Sequence, residues 1–272
     1  MDQNYHYESH DFFYSHAFIE SPEDFPIHNH DVYELIFLKK GDISYMIEGK
    51  IYRPTKNTLL LTPPLKNHAV LFNSSVPYER YNLLFDERKL TPCTYKKLVS
   101  DTIIINFDSH PIITDLFTKM DYYYENFKDE DLKVLLMHLV EEVICNTSLL
   151  SQNKEQNTVY TTNPVIQATI EYIEKNIHTP FHVSTICNEL YISKSHLHHL
   201  FMQHLKVTPQ KYILSKRLSL AQRELRLGRK ATDIYTDCGF TDYSTFFRAY
   251  KNHFGHAPSE EINVNIIRKI QS

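Results

Sequence analysis

Val183-Ser184-Thr185-Ile186-Cys187-Asn188-Glu189-Leu190-Tyr191-Ile192, continuing through Ser193-Lys194-Ser195-His196-Leu197 to Phe201, decides the fold, because its pattern occurs a second time. The second copy is Thr232-Asp233-Ile234-Tyr235-Thr236-Asp237-Cys238-Gly239-Phe240, then Thr241-Asp242-Tyr243-Ser244-Thr245-Phe246 through Tyr250. Ile192 matches Phe240 at an offset of 48 residues. Leu197, Phe201, Leu205 and Pro209 match Phe246, Tyr250, Phe254 and Pro258 at an offset of 49. Each copy reads as a short helix, a tight turn and a second helix. Ile186 and Leu190 give the first helix an apolar stripe, and Leu197, Leu200, Phe201 and Leu205 give one to the second. Ser193 and Asp242 stand where they can cap the second helices, and Gly239 stands where the turn needs a positive φ. Two helix-turn-helix units at a near-constant offset predict a tandem reader of double-stranded DNA.

Between the copies, Tyr212 to Leu227 reads as one helix with Ile213, Leu220, Leu225 and Leu227 as its apolar positions and Gly228 as its stop. Such a helix sets the two units a fixed distance apart. Second helices in successive major grooves lie about 34 Å apart on one side of the duplex. Charge runs the same way. Residues 164–272 carry 14 Lys and Arg against 9 Asp and Glu, net +5, whereas residues 1–163 carry 15 against 24, net −9. A basic C-terminal part on an acidic chain fits a phosphate-binding module joined to a regulatory one.

These residues resemble the AraC/XylS family of bacterial transcription regulators. The specific match spans roughly residues 164–262: Ile234, Gly239-Phe240, Ser244, Phe246, Arg248, Lys251, Gly255 and Pro258 in the second unit, and Tyr212, Arg217, Ala221 and Leu225 in the linker helix. Three positions depart from the family pattern. Tyr235 stands for the usual Ala, Lys206 for Gly and Tyr250 for Phe. The bulk of Tyr235 implies a tilt of the second unit. On the first reading helix Lys194, Ser195, His196, His198, His199 and Gln203 face outward. The resemblance places Ser195, His198 and His199 at base edges and Lys194 at a phosphate. On the second, the exposed candidates are Tyr243, Ser244, Thr245 and Arg248. Arg248 has three readings: a base contact, a phosphate contact, or an internal pair with Asp237. Metal binding by His196, His199 and His204 is the rival for the His-rich run, but no Cys or carboxylate completes a set there.

The N-terminal part is built differently. Val32–Leu38, Ile43–Ile47, Lys50–Arg53, Thr58–Thr62, Ala69–Phe72 and Arg80–Phe85 are short β-rich runs broken at Gly41, Glu48-Gly49 and Pro63-Pro64. Regular spacing without intervening helices predicts a small barrel or sandwich. Within it, His28-x-His30-x3-Glu34-x6-Gly41 resembles a first cupin motif, and His68 a decayed second one. His28, His30 and Glu34 share parity and point to one cavity. Three His and a Glu suit a divalent ion; the family resemblance instead implies a pocket for a sugar or other small molecule, without metal. We assign His28, His30, Glu34, His68 and Tyr45 to effector binding, with no metal, no cofactor and no catalytic residue expected; Tyr52 and Tyr81 are further aromatics for stacking.

Residues 111–150 turn to helical periodicity, with Ile112, Ile113, Leu116, Phe117 and Met120 in one stripe and Leu132, Leu136, Leu139 and Val143 in another. Such helices either pair two subunits, which the resemblance favours, or cover the β domain. The expected organisation is an effector domain over 1–110, a helical dimerisation or spacer segment over 111–150, a linker over 151–163, a DNA-binding domain over 164–262 and a frayed tail over 263–272. The expected fold class is α+β with two domains: a cupin-like β-barrel with a helical spacer, then an all-α double helix-turn-helix. Cys93, Cys145, Cys187 and Cys238 lack paired spacing, sit in apolar contexts and read as reduced core thiols of a cytoplasmic protein. A polar N-terminus predicts neither a signal peptide nor a membrane span. The sequence thus points to a regulator of promoter DNA, an activator by resemblance, that acts as a homodimer with RNA polymerase under control of a small molecule, for which a carbohydrate is the expectation. A cupin enzyme with a DNA-binding tail, a ligand-independent dimeric DNA-binding protein and a regulator answering to a protein partner are the alternatives.

Overall fold

Strand β4, Tyr33–Lys40, shows how the N-terminal half is layered. Its first six residues are all buried, without the alternation of a strand wetted on one side. The reason is that both faces are covered. Leu35 and Phe37 belong to one apolar cluster with helical residues, while Ile36 and Leu38 belong to another with a facing sheet. The computed structural model describes residues 4–98, 101–151 and 161–263.

Strands β1 (Tyr5–Glu8), β2 (Phe12–Ile19), β9 (Tyr78–Phe85), β4, β7 (Thr58–Thr62) and β10 (Ile103–Asn106) form one antiparallel sheet in the order β1-β2-β9-β4-β7-β10. β11 (Thr161–Thr162), β6 (Lys50–Tyr52), β5 (Ile43–Ile47), β8 (His68–Phe72) and β3 (Phe25–His28) form the other, in that order. The cupin-like domain is therefore two facing sheets rather than one continuously bonded barrel. Ile36, Leu38, Tyr45, Ile47, Leu60, Val70 and Tyr78 fill the space between them. Five of these strands lie outside the six runs read from sequence: β1, β2, β3, β10 and β11. The last occupies the end of the expected linker, whose residues 152–160 lie outside the described residues, as do 264–272 of the expected tail.

The outer face of the six-stranded sheet is covered by helices α2 (Pro111–Asn126) and α3 (Asp129–Ser151), which follow the short α1 (Pro92–Tyr95). Ile113, Leu116, Phe117 and Met120 of α2 and Leu132, Leu136, Leu139 and Val143 of α3 are buried there. Phe117 stacks on Phe37 with ring centroids 4.0 Å apart. Covering the sheet is thus a structural role of these helices. Ile112 is a correction: it is 72% exposed, one position off the buried stripe. A polar anchor reinforces the apolar contact. The carboxylate of Asp121 on α2 accepts from the hydroxyls of Tyr14 (2.5 Å) and Tyr81 (2.6 Å) and meets His16 Nδ1 at 3.0 Å. Tyr81, read as a sugar-stacking candidate, therefore faces the helices and not the cavity.

The C-terminal half packs on the outer face of the five-stranded sheet. Its helices are α4 (Pro164–Asn176), α5 (Val183–Glu189), α6 (Lys194–Leu205), α7 (Pro209–Arg226), α8 (Ala231–Ile234) and α9 (Tyr243–Phe254). Met46 and Ala69 of the sheet join Ile166, Ile170 and Ile173 of α4 and the buried faces of α5, α6 and α7 in one cluster. The two-residue turn Glu48-Gly49, with φ of 46° and 73°, is the contact point. A Cβ on Gly49 would lie 2.7 Å from Ile166 Cγ2, so close docking requires glycine. The Glu48 carboxylate reaches Lys216 Nζ at 2.6 Å and accepts from the Tyr212 hydroxyl. The second unit has its own core, of Leu218, Ala221, Leu225, Ile234, Cys238, Phe240, Phe246 and Tyr250. Leu227, read as a buried position of the linker helix, is its C-cap and 55% exposed.

Candidate functional site

Two surfaces carry function-bearing side chains: the exposed faces of α6 and α9, and a cleft between the β domain and the second helix-turn-helix unit.

The reading helices start where the sequence places their caps. Ser193 Oγ accepts from the His196 amide at 3.1 Å, and the Asp242 carboxylate from the Thr245 amide at 2.8 Å. Each such cap stabilises its helix by about 1 kcal/mol. The turn position differs between copies. Gly239 has φ +77°, and its counterpart Tyr191 takes φ +52° with 95% of its surface exposed. Lys206, at the C-cap of α6, also takes a left-handed φ, of 55°, in place of the family's glycine. Lys194, Ser195, His196, His198, His199 and Gln203 are all exposed along α6. Ser244, Thr245 and Arg248 are exposed along α9. Tyr243 is only half-buried surface: its ring packs edge-on against Tyr235 at 5.9 Å. Tyr235 is thereby absorbed at the edge of the second unit's core. The internal pairing considered for Arg248 is corrected, because Asp237 binds Arg229 at 2.8 Å. His204 turns away from the run of exposed histidines, with Nε2 3.4 Å from Asn163 Nδ2.

The cleft measures about 870 Å³. One wall is β-domain surface: His28, His30, Glu34, His68, Arg80 and Asn82 contribute its polar groups, and Phe25, Ile36, Val70 and Leu84 its apolar ones. The other wall belongs to the DNA-binding half: Gln222 from α7, and Asn252, His253, Phe254 and Gly255 from the C-terminal end of α9. The volume lies within the range of small-molecule sites, which is about 300–1,000 Å³. His28 ends β3, His30 sits in the loop after it, Glu34 is on β4 and His68 begins β8, so three residues close in sequence meet the distant His68, with one donor atom of each within 4.8 Å of the others. Glu34 Oε2 lies 2.8 Å from His68 Nε2 and 3.8 Å from His30 Nε2. Burial, reinforced by the neighbouring His68, pulls the pKa of His28 down to about 4. Burial disfavours charge on Glu34 and on His68, but their mutual attraction prevails; the carboxyl stays well below the usual range and the imidazole above its own.

Tyr45 is placed differently from the other four. It is fully buried between the sheets, its hydroxyl 2.5 Å from Thr62 Oγ1, and it is not among the residues lining the cleft. Arg80 and Asn82 were not singled out from sequence. Arg80 Nη1 and Asn82 Oδ1 are buried without a hydrogen-bond partner beside the cleft. The signal was their parity: in Tyr78-Glu79-Arg80-Tyr81-Asn82-Leu83-Leu84-Phe85, the even positions of a buried strand include two polar side chains facing inward.

A β domain with a ligand-sized cleft, joined to two helix-turn-helix units with exposed reading faces, defines a DNA-binding transcription regulator controlled by an effector. Residues 4–141 match the AraC-like ligand binding domain and residues 186–263 a helix-turn-helix domain. The chain belongs to the AraC family. It is similar to the HTH-type transcriptional activator RhaS of Escherichia coli (strain SMS-3-5 / SECEC), at 22% identity over 255 residues and 87% of each chain. The RhaS of Enterobacter sp. (strain 638) is 23% identical over 251 residues, again 87% of each chain. Among solved structures, ToxT from Vibrio cholerae O395 aligns over 96% of this chain and 100% of its own with a TM-score of 0.38 and 17% identity.

Proposed function

We propose that the protein is a one-component transcriptional activator whose effector, a small oxygen-rich molecule of the carbohydrate or sugar-acid class, binds in the cleft between the β domain and α9. The observation that carries this reading is the shared wall: the end of the second reading helix, Asn252–Gly255, lines the same cleft as His28, His30, Glu34 and His68. A ligand there touches both halves and so has different contacts when the second unit moves, which is the condition for a ligand to shift an equilibrium. The unpartnered Arg80 Nη1 and Asn82 Oδ1 supply a donor and an acceptor for hydroxyl or carboxylate oxygens.

In this reading Ser195, His198, His199 and Arg248 read base edges, while Lys194, His196, Gln203, Tyr243, Ser244 and Thr245 complete the DNA contact. The protein works as a homodimer at a promoter, next to RNA polymerase, in the cytoplasm. The activator assignment follows the similarity to proteins described as transcriptional activators. The test is selection of genomic fragments by the purified protein at fixed salt, with and without a panel of sugars and sugar acids. Enrichment of paired half-sites about one helical turn apart, shifted by one compound, is the expected result. Binding without sequence preference and without response to any compound overturns it.

A further inference from the structure

The hydrogen bonds behind the four cleft residues specify more than a polar pocket. His28 Nδ1 lies 2.8 Å from the Pro26 carbonyl, His30 Nδ1 2.9 Å from that of Val32, and His68 Nδ1 2.8 Å from that of Lys66. A carbonyl only accepts, so each ring must carry its proton on Nδ1. That leaves all three Nε2 atoms as the groups turned toward Glu34. His30 Nε2, His68 Nε2 and Glu34 Oε2 are buried and face one another, with Glu34 2.8 Å from His68 and 3.8 Å from His30, and have no hydrogen-bond partner outside the set. Apart from the proton that His68 shares with Glu34, which a metal ion would displace, the site gathers nitrogen lone pairs around one anion, and among the described residues no donor from outside the set is aimed at them. Leaving the remaining nitrogen lone pairs unmatched costs about 1–3 kcal/mol each, a cost that a positive centre among them removes.

We infer that His28, His30, His68 and Glu34 bind a divalent transition-metal ion through three Nε2 atoms and one carboxylate oxygen, with its open coordination positions toward the cleft. The donor types suit zinc, iron, manganese or cobalt. Metal–ligand bonds of about 2.1 Å place neighbouring donors about 3–4 Å apart, and the four donors already lie within 4.8 Å of one another. Each imidazole has the backbone-carbonyl partner that fixes a ligating ring in orientation and tautomer. The rings are also held mutually edge-on: centroids of His28 and His68 are 4.3 Å apart at 62°, and those of His30 and His68 5.0 Å apart at 73°. The rings therefore converge without stacking on one another. Because the four residues line the cleft, an ion there is reachable by solvent and by an effector's oxygen atoms. This revises the sequence expectation of an organic pocket without metal. It stands on the four side chains alone and not on the DNA-binding reading.

The test uses the untagged full-length chain, stripped with chelator and then incubated separately with Zn²⁺, Mn²⁺, Fe²⁺ and Co²⁺ before desalting and elemental analysis. One equivalent of at least one ion per chain is expected, with a Co²⁺ visible spectrum of mixed nitrogen and oxygen ligation. His30→Gln and His68→Gln should lower retention at least tenfold. His28→Gln, at the half-buried edge of the set, provides a variant that leaves the buried pair intact and should weaken binding as well. Less than a tenth of an equivalent of every ion in the wild type overturns the inference. So does a full equivalent retained by His28→Gln and by whichever of the other two variants keeps the wild-type circular dichroism, since the ion would then lie elsewhere. Either result leaves the DNA-binding measurements untouched, so failure of the metal site and failure of the regulatory reading are separable.

Discussion

Arg226, in the last turn of α7, donates to the carboxylate of Asp31, in the loop that follows His30, and both side chains are about 95% buried. The same guanidinium donates from Nε to Glu261 at 2.9 Å, and Glu261 accepts from the Tyr250 hydroxyl of α9 at 2.5 Å. A loop lining the cleft is thus tied through one arginine to the core of the second helix-turn-helix unit. Removing one partner of a buried ion pair costs about 3–5 kcal/mol when the other charge is left uncompensated; Arg226 keeps Glu261, so the cost of losing Asp31 lies toward or below the lower end. Asp31→Ala should therefore lower the thermal midpoint by several degrees and make the segment between the halves easier to cleave by protease. Asp31→Asn, which keeps an oxygen acceptor for the guanidinium while Arg226 stays paired with Glu261, should recover part of that loss. An unchanged midpoint in Asp31→Ala would show that the pair does not hold the halves together.

His199→Ala and Arg248→Ala should each weaken binding to the selected site by about 1–3 kcal/mol, with little change in affinity for random DNA, as expected for side chains that read base edges. Both are exposed, so the melting temperature should stay within about a degree or two of wild type. Lys194→Ala should weaken binding to every sequence alike and reduce the salt dependence by about one counterion. Titration of specific and random duplexes at several salt concentrations separates the two outcomes; loss of both kinds of affinity in His199→Ala would assign that residue to the backbone instead.

The His16 ring sits between Asp121 (3.0 Å) and Glu79 (3.1 Å), joining β2 to α2 and β9. Burial works against its charge, but the bonds to Asp121 and Glu79 outweigh it and raise the pKa above the usual 6.5. A raised folded-state value means that the imidazolium stabilises the fold fully below the unfolded value of 6.5, and that this contribution is lost as pH rises through the folded value. Denaturant midpoints measured upward from pH 6 should fall for wild type and stay flat, or fall less, for His16→Asn. Parallel curves would remove the assignment.

The C-terminal architecture was legible because its signals are local. Caps such as Ser193 and Asp242 act three residues away, and stripes such as Leu197, Leu200, Phe201 and Leu205 repeat within one helix. The β domain was legible only in part. Phe12–Ile19 shows no alternation over its buried first half, because facing layers cover both sides, so the period that marks a strand is missing there. The meeting of His28, His30, Glu34 and His68 could be read from motif spacing, whereas Arg80 and Asn82 needed the neighbours of β9 to be known. The far wall was not readable at all: Gln222 and Asn252–Gly255 reach the cleft through packing between segments far apart in sequence.

Gly239 offers the sharpest test of how the second unit is held. Its φ of +77° is left-handed, and a Cβ there would lie 2.5 Å from the Ile177 carbonyl oxygen and 2.6 Å from Arg217 Nε. Gly228 has a similar φ of +84°, but no atom of the described residues lies within 4 Å of its Cβ position. Gly228→Ala should thus cost only the left-handed backbone penalty of about 1–2 kcal/mol. Gly239→Ala adds a backbone overlap and should cost about 3 kcal/mol or more. The overlap falls on Ile177, just after α4 ahead of the first unit, and on Arg217 of α7, which connects the two units, so the strain should shift the second unit against the first. Footprinting is the measurement that reads this. Gly239→Ala should keep protection of the half-site read by α6 and lose it at the half-site read by α9, while Gly228→Ala protects both. Equal protection of both half-sites by Gly239→Ala would show that the turn tolerates a side chain and that spacing between the units is set elsewhere.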